Sequence, residues 1–272
     1  MGGLAGLYGD AVARMRTSAA LRRSFLAWIA AGLVVTGGLS EVVGLLHSAT
    51  AVGALAPLPA IIAWWGAISV VVFGGASWLR TPQRDAAIDR YGVPNGLTAI
   101  RAYACLPLLF TATVSLPGRS GLALWCTIGF VTGMLDAVDG FIARRVGPLT
   151  ELGRAMDPAS DALFFATAAV GNVALGILPP WVAALLLIRY LGPLGLTPIV
   201  FLLRKRPELV HTKWGRRNTA LTGLVIFCCM WVRIFNGPVD TVALVLTVPL
   251  LLTTTLLHFW SLIERTRHAP SV

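Results

Sequence analysis

Four aspartates within one short stretch have the types and spacing to act together. In DAVDGFIARRVGPLTELGRAMDPASD, Asp136 and Asp139 stand three residues apart, and Asp157 and Asp161 stand four apart. On helices, each spacing puts its pair on one face. A hairpin through Gly147, Pro148 and Gly153 turns those faces toward each other, so that four carboxylates converge. The chain has 12 acidic residues, and five of them fall between Asp136 and Asp161.

Such crowding needs compensation. One ionised group at the centre of a bilayer costs about 2.5–3.5 kcal/mol on insertion scales. Arg144, Arg145 and Arg154 can offset part of the charge. Two divalent cations cancel all of it, and oxygen-only ligands suit Mg²⁺ or Mn²⁺. Two such ions about 3.5–4 Å apart form a clamp for phosphorus chemistry. The alternative is that each aspartate caps a helix or pairs with an interfacial arginine.

The elements that must position these groups are membrane helices. The chain has 272 residues, 56% hydrophobic and 12% charged, against about 25% charged in soluble domains. Eight apolar blocks run roughly 24–46, 58–79, 97–116, 121–143, 158–177, 181–203, 218–235 and 240–263. Each is near the ~20 residues a spanning helix needs. The short alternating strands of a β-barrel are missing. Net charge is +10, which invites a nucleic-acid reading. The basic residues sort by loop instead. With the N-terminus inside, the cytoplasmic stretches hold 19 of the 22 Lys+Arg. That is the positive-inside pattern, and it predicts both termini in the cytoplasm and no nucleic-acid partner.

Cys105, Cys126, Cys228 and Cys229 all lie in apolar blocks and read as packing residues. Arg22 and Arg23 precede an apolar run too long for a cleavable signal core, so that run is expected to remain as a span. Residues 1–23 read as a basic, amphipathic lead-in. The middle of residues 80–101 alternates charge with Ala, Ile and Tyr, which predicts an interfacial helix broken at Pro94 and Asn95, and residues near 80–94 mark the boundary of the core. The expected organisation is a 1–93 accessory region with two spans and that interfacial helix, followed by a 94–272 catalytic core.

The spacing Asp136-x2-Asp139-Gly140-x2-Ala143-Arg144-x8-Gly153-x3-Asp157-x3-Asp161 resembles the full signature of the CDP-alcohol phosphotransferase (phosphatidyltransferase) family. The likeness covers roughly residues 94–263. It implies an all-α, polytopic fold with a six-helix transmembrane catalytic core, here with two additional N-terminal transmembrane helices. It also implies a homodimer whose site opens to the cytoplasm. By position, Asp136, Asp139 and Asp157 resemble the main metal ligands. Asp161 resembles the general base and shares the metal site. Gly140 and Ala143 resemble the small residues beside the cytidine, Arg144 the arginine near the donor phosphates, and Gly153 the residue that keeps the next turn open. PNGLTAIR at 94–101 resembles the entry to the family's first core helix. Asn95, Thr98 and Arg101 fall at i, i+3 and i+6, on roughly one face, and can hydrogen-bond the nucleotide or its phosphates.

Arg189 interrupts an apolar span, and an intramembrane arginine is a functional candidate by default. The resemblance implies that it holds an acceptor's phosphate, although Tyr190 stands where the family often has an acid. Lys213 and Arg217, at the start of the next span, can bind the same anionic acceptor. His211 reads as a surface histidine. Trp64, Trp65, Trp78 and Trp260 read as interfacial or packing aromatics.

The expected activity is therefore phosphatidyl transfer from CDP-diacylglycerol to a small alcohol, with or without a phosphate of its own, with CMP released and two divalent cations, Mg²⁺ or Mn²⁺, bound. The expected location is the cytoplasmic membrane, among its lipids. A sibling reading takes another CDP-alcohol, CDP-choline or CDP-ethanolamine, as donor and diacylglycerol as acceptor. Two readings come from other classes: a cation-coupled transporter, which the lack of a repeat disfavours, and a non-catalytic scaffold.

Overall fold

The computed structural model describes residues 4–47, 57–81, 86–113, 119–145, 150–202, 213–235, 237 and 239–268. Within these the regular elements are helical, and the extended pairing present is an isolated antiparallel bridge between Arg80 and Ala87. The fold is all-α. In order come α1 (Leu4–Thr17), α2 (Ala19–Leu33), a π turn (Val34–Gly38), α3 (Leu39–His47), α4 (Leu58–Gly74) and a 3₁₀ turn (Gly75–Trp78). There follow α5 (Gly92–Thr113), α6 (Arg119–Arg145), α7 (Glu151–Ala174), α8 (Pro180–Leu202), α9 (Lys213–Ile234), α10 (Val239–Val242), a second π turn (Ala243–Thr247) and α11 (Val248–His268).

Three described segments are long and apolar enough to cross a bilayer: Ala19–Leu45, Leu58–Trp78 and Gly121–Ile142. Shorter apolar stretches occupy Pro180–Gly192, Leu221–Ile234 and Leu244–Leu257. Helices α5 and α7 have 22 and 24 residues, long enough for a crossing at 1.5 Å per residue. Their first turns carry Asn95, Thr98 and Arg101, and Asp157, Ser160 and Asp161, which lower their apolar character.

The chain packs as two compact units. One comprises Met1–Leu116 with Thr127–Phe164, and the other Pro117–Cys126 with Phe165–Val272. In the first, α2, its π turn, α3 and α4 all pack on α5. Ala11, Leu21, Val72, Leu79, Tyr103 and Leu152 are among its buried core residues. Glycines let rings into the α2–α5 contact. A Cβ on Gly32 would stand 2.3 Å from the Tyr103 ring, and one on Gly96 would stand 2.0 Å from the Trp28 indole.

Prolines and π turns meet in the same contact. Pro107 lies inside α5, so it cannot donate to the Tyr103 carbonyl four residues back. The Thr36 hydroxyl, in the π turn, donates to that carbonyl instead at 3.2 Å. Neighbouring Ser/Thr side chains commonly satisfy carbonyls freed this way in membrane helices. Trp64 and Trp65 also serve packing. Their indole N–H groups donate to the carbonyls of Ala102 (3.1 Å) and Ile29 (2.9 Å).

Among the described residues of the segment expected to carry an interfacial helix, 80–81 and 86–91 are not helical. Residues 82–85 lie outside the described residues, and α5 begins at Gly92. The amides that a helix would use internally are engaged across the turn. Thr81 N–H donates to the Ala86 carbonyl at 3.0 Å, and Ile88 N–H to the Leu79 carbonyl at 2.8 Å. The Arg14 guanidinium takes the carbonyls of Ala76, Leu79 and Ile88. The amphipathic helix of this region is α1, which buries Ala11 and Met15.

In the second unit, α8 packs on α11, with Gly192 leaving room for the Phe259 ring. Phe165 stacks on Tyr190 at 4.0 Å between centroids. Trp125 N–H donates to the buried Asn172 side chain at 3.2 Å. The four cysteines are free thiols, with Cys105, Cys126 and Cys229 buried and Cys228 exposed.

Candidate active site

The first turn of α7 is built around a cap. Thr150 precedes Glu151, and its Oγ1 accepts the Gly153 N–H at 2.9 Å, a bond from an N-cap side chain to one of the four orphan amides of a helix start. The Thr150 hydroxyl in turn donates to Asn95 Oδ1 at 3.0 Å. The Asn95 amide donates to the Tyr91 carbonyl at 2.6 Å. Gly153 is needed for this approach, because a Cβ there would stand 2.9 Å from Asn95 Oδ1. Tyr91 itself is buried, with its hydroxyl on the Val72 carbonyl at 2.7 Å. Burial pushes its phenol up from the ordinary value, against the pull of Arg14.

One and two turns further along, α5 and α7 meet through charged and polar groups. The Thr98 hydroxyl stands 3.1 Å from the Pro94 carbonyl and 3.3 Å from Asp157 Oδ1. Arg101 Nη2 pairs with Asp161 Oδ1 at 2.8 Å. Arg101 Nε donates to Ser160 Oγ at 3.0 Å, and Ser160 Oγ donates to the Thr98 carbonyl at 3.3 Å. Asn95, Thr98 and Arg101 thus share one face, as their spacing predicted, and all three are buried. That face meets α7, and the bonds named are made to the protein. Asp157 is exposed, while the Asp161 side chain is 19% exposed. A charge as deeply buried as Arg101 demands a partner, and Asp161 supplies it.

Asp136, Asp139, Gly140, Ala143 and Arg144 lie on α6. Apart from Gly140, their side chains lie outside the described residues, as do those of Lys213 and Arg217 on α9. Helices α6 and α7 approach each other at Gly133, where a Cβ would stand 3.5 Å from the Phe164 ring. Among the described residues no three metal-ligating side chains cluster.

The described donors suit a hard divalent cation: Asp157 and Asp161 stand one turn apart and offer only oxygen. Hydrogen bonds from Thr98 and Arg101 orient their carboxylates.

Arg189 belongs to the second unit. It is 7% exposed, lies 5.3 Å from the Tyr190 ring centroid, and its Nη1 has no hydrogen-bond partner among the described residues. His211 lies outside the described residues. The sequence reading missed Ser160 and Thr150. Ser160 was legible as the residue beside Asp161 on the Asp157 face. Thr150 was legible as a helix-start threonine.

The family profile of CDP-alcohol phosphatidyltransferase matches residues 91–263. Proteins named "Probable phosphatidylglycerophosphate synthase" from two strains of Mycobacterium tuberculosis are 32% identical over 119 residues, 44% of this chain and 54% of theirs. A "Cardiolipin synthase (CMP-forming)" of Streptomyces coelicolor is 41% identical over 59 residues, 22% of this chain and 27% of its own. The chain thus spans about half the length, 54%, of the first of these curated relatives. No solved structure matches it. The profile takes in α5, α6 and α7 with every aspartate of the site, and on that match this chain belongs to the CDP-alcohol phosphatidyltransferase family.

Proposed function

We propose that the protein is a multi-pass membrane enzyme that transfers a phosphatidyl group from CDP-diacylglycerol to a small, phosphate-bearing alcohol and releases CMP. The observation that carries this reading is the α5–α7 interface. There Thr98 and Arg101 hold Asp157 and Asp161, two acids of the family signature, in one face.

Asp136, Asp139, Asp157 and Asp161 would hold two divalent cations, Mg²⁺ or Mn²⁺. When bound, these ions neutralise the donor's diphosphate and make CMP a better leaving group. The chain's own residues do the rest. Asp161 takes the proton of the acceptor hydroxyl as its oxygen bonds to the phosphorus carrying the diacylglycerol, and the bond from that phosphorus to the CMP oxygen breaks. Arg101 and Ser160 orient Asp161. Gly140 and Ala143 admit the cytidine, and Arg144 meets the donor phosphates. Asn95, Thr98 and Gly153 act on the donor site by holding α7 in place.

Arg189, with Lys213 and Arg217, binds the acceptor's phosphate. The buried guanidinium, whose Nη1 has no hydrogen-bond partner among the described residues, supports an anionic acceptor, and the name of the Mycobacterium tuberculosis relatives supports glycerol phosphate. The distribution of basic residues supports both termini and the site on the cytoplasmic side, and the family likeness supports residues 94–272 as the catalytic part. The family resemblance supports a homodimer.

The test is CMP release by purified protein with CDP-diacylglycerol, Mn²⁺ or Mg²⁺, and an acceptor panel of glycerol 3-phosphate, inositol phosphate, phosphatidylglycerol, serine and diacylglycerol. Glycerol 3-phosphate is expected to turn over fastest, and Asp157→Asn to lower kcat by at least about 100-fold with the fold retained. Turnover that survives excess chelator would rule the reading out. Preference for phosphatidylglycerol would move the assignment toward the Streptomyces coelicolor relative.

A further inference from the structure

The family match begins at residue 91, yet the first turn of α7 is also held from outside that range. The Arg14 guanidinium, on α1, donates to the carbonyls of Ala76, Leu79 (3.3 Å) and Ile88 (2.8 Å). Three carbonyls from two sides of one turn therefore converge on one planar fork of donors. The turn gathered in this way presents the Arg80 carbonyl to the Glu151 N–H at 3.1 Å. That amide is the first of α7, an orphan donor the helix cannot satisfy itself. Beside it, Leu152 is 2% exposed and plugs the space over Gly75, where a Cβ would stand 2.5 Å from Leu152 Cδ1. Asp157 follows within two turns of the same helix.

We propose that Arg14 is a positioning residue for the metal-binding carboxylates: by tying residues 76–79 to Ile88 it fixes the start of α7, and with it the placement of Asp157 and Asp161. The accessory region is then part of the catalytic apparatus. This inference rests on the two-cation reading above. Residues that orient metal ligands from behind typically change metal affinity by about 10–100-fold when removed, whereas a residue that only stabilises the fold changes how much protein is folded.

The experiment measures Mn²⁺ binding to the full-length chain in detergent by electron paramagnetic resonance of free Mn²⁺, using the monodisperse fraction. The unaltered chain is expected to bind saturably. Arg14→Ala is expected to weaken binding by about 10-fold with the number of sites per folded chain unchanged. Arg14→Lys, whose ammonium cannot span all three carbonyls, should fall between. Arg16→Ala, on the exposed side of α1, should match the unaltered chain. If Arg14→Ala does not fold, Gly75→Ala probes the same path by displacing Leu152. It should weaken binding, and Gly75→Ala/Leu152→Val should recover it. Unaltered Mn²⁺ affinity in the folded fraction of Arg14→Ala or, where that variant does not fold, of Gly75→Ala overturns the inference alone. An unaltered chain that binds no Mn²⁺ overturns the two-cation reading and the inference with it.

Discussion

Among the described residues two arginines are buried, one in each compact unit, and they are satisfied in different ways. Arg101 is 1% exposed and has a carboxylate at 2.8 Å and a serine hydroxyl at 3.0 Å. Arg189 is 7% exposed and lies over a tyrosine ring, and one of its terminal nitrogens has no hydrogen-bond partner among the described residues. Desolvating a guanidinium is expensive in either place. For Arg101 the fold supplies a counter-charge within its own unit. For Arg189 the described residues supply an aromatic face, which is the basis of the proposal that it receives an anion. Burial alone does not separate two such cations, whereas their described partners do.

The largest expected effect breaks the first half of that contrast. Arg101→Met leaves Asp161 without its partner and should destabilise the protein by about 3–5 kcal/mol, read as a lower thermal midpoint and yield in detergent. Arg101→Met/Asp161→Leu should recover most of that stability while remaining inactive. A single variant as stable as the unaltered chain would remove the distinction. Next comes Arg189→Met, for which stability should hold or rise. The KM for an anionic acceptor should increase on the order of 10–100-fold, matching the ~1.5–3 kcal/mol of a hydrogen bond to a charged group, with kcat nearly unchanged. A fall in stability with an unchanged KM would place Arg189 with Arg101. The smallest effect is that of Gly153→Ala. Its Cβ would press on Asn95 Oδ1, with a cost of about 1 kcal/mol and a modest loss of turnover. No loss would show that the Asn95–Thr150 contact yields without disturbing Asp157.

The helical character of the chain was legible from block length and charge placement, and so was the shared face of Asn95, Thr98 and Arg101. The identity of the partner face was not. Period alone says which residues of a helix align but not which neighbour they meet, so the bonds of Asn95, Thr98 and Arg101 to α7 and its cap were not legible. The 80–94 segment failed for a related reason. Its alternating charges fit an amphipathic helix, but the deciding bonds come from Arg14, more than sixty residues earlier in sequence, and local pattern carries no record of them. The pairing of Thr36 with the carbonyl that Pro107 frees is equally non-local. Each half is ordinary alone, and only packing shows that one completes the other.

The glycine and ring contacts between α2 and α5 carry a consequence for modularity. Each helix lends an aromatic plug and accepts one in return: Trp28 seats over Gly96, and Tyr103 over Gly32. A reciprocal exchange of this kind behaves like a two-pin connector. Cutting the chain ahead of residue 92 would leave an indole-sized hollow over Gly96, two residues from Thr98, and uncover the Tyr103 ring. A foreign anchor grafted in its place would need to reproduce both pins at once.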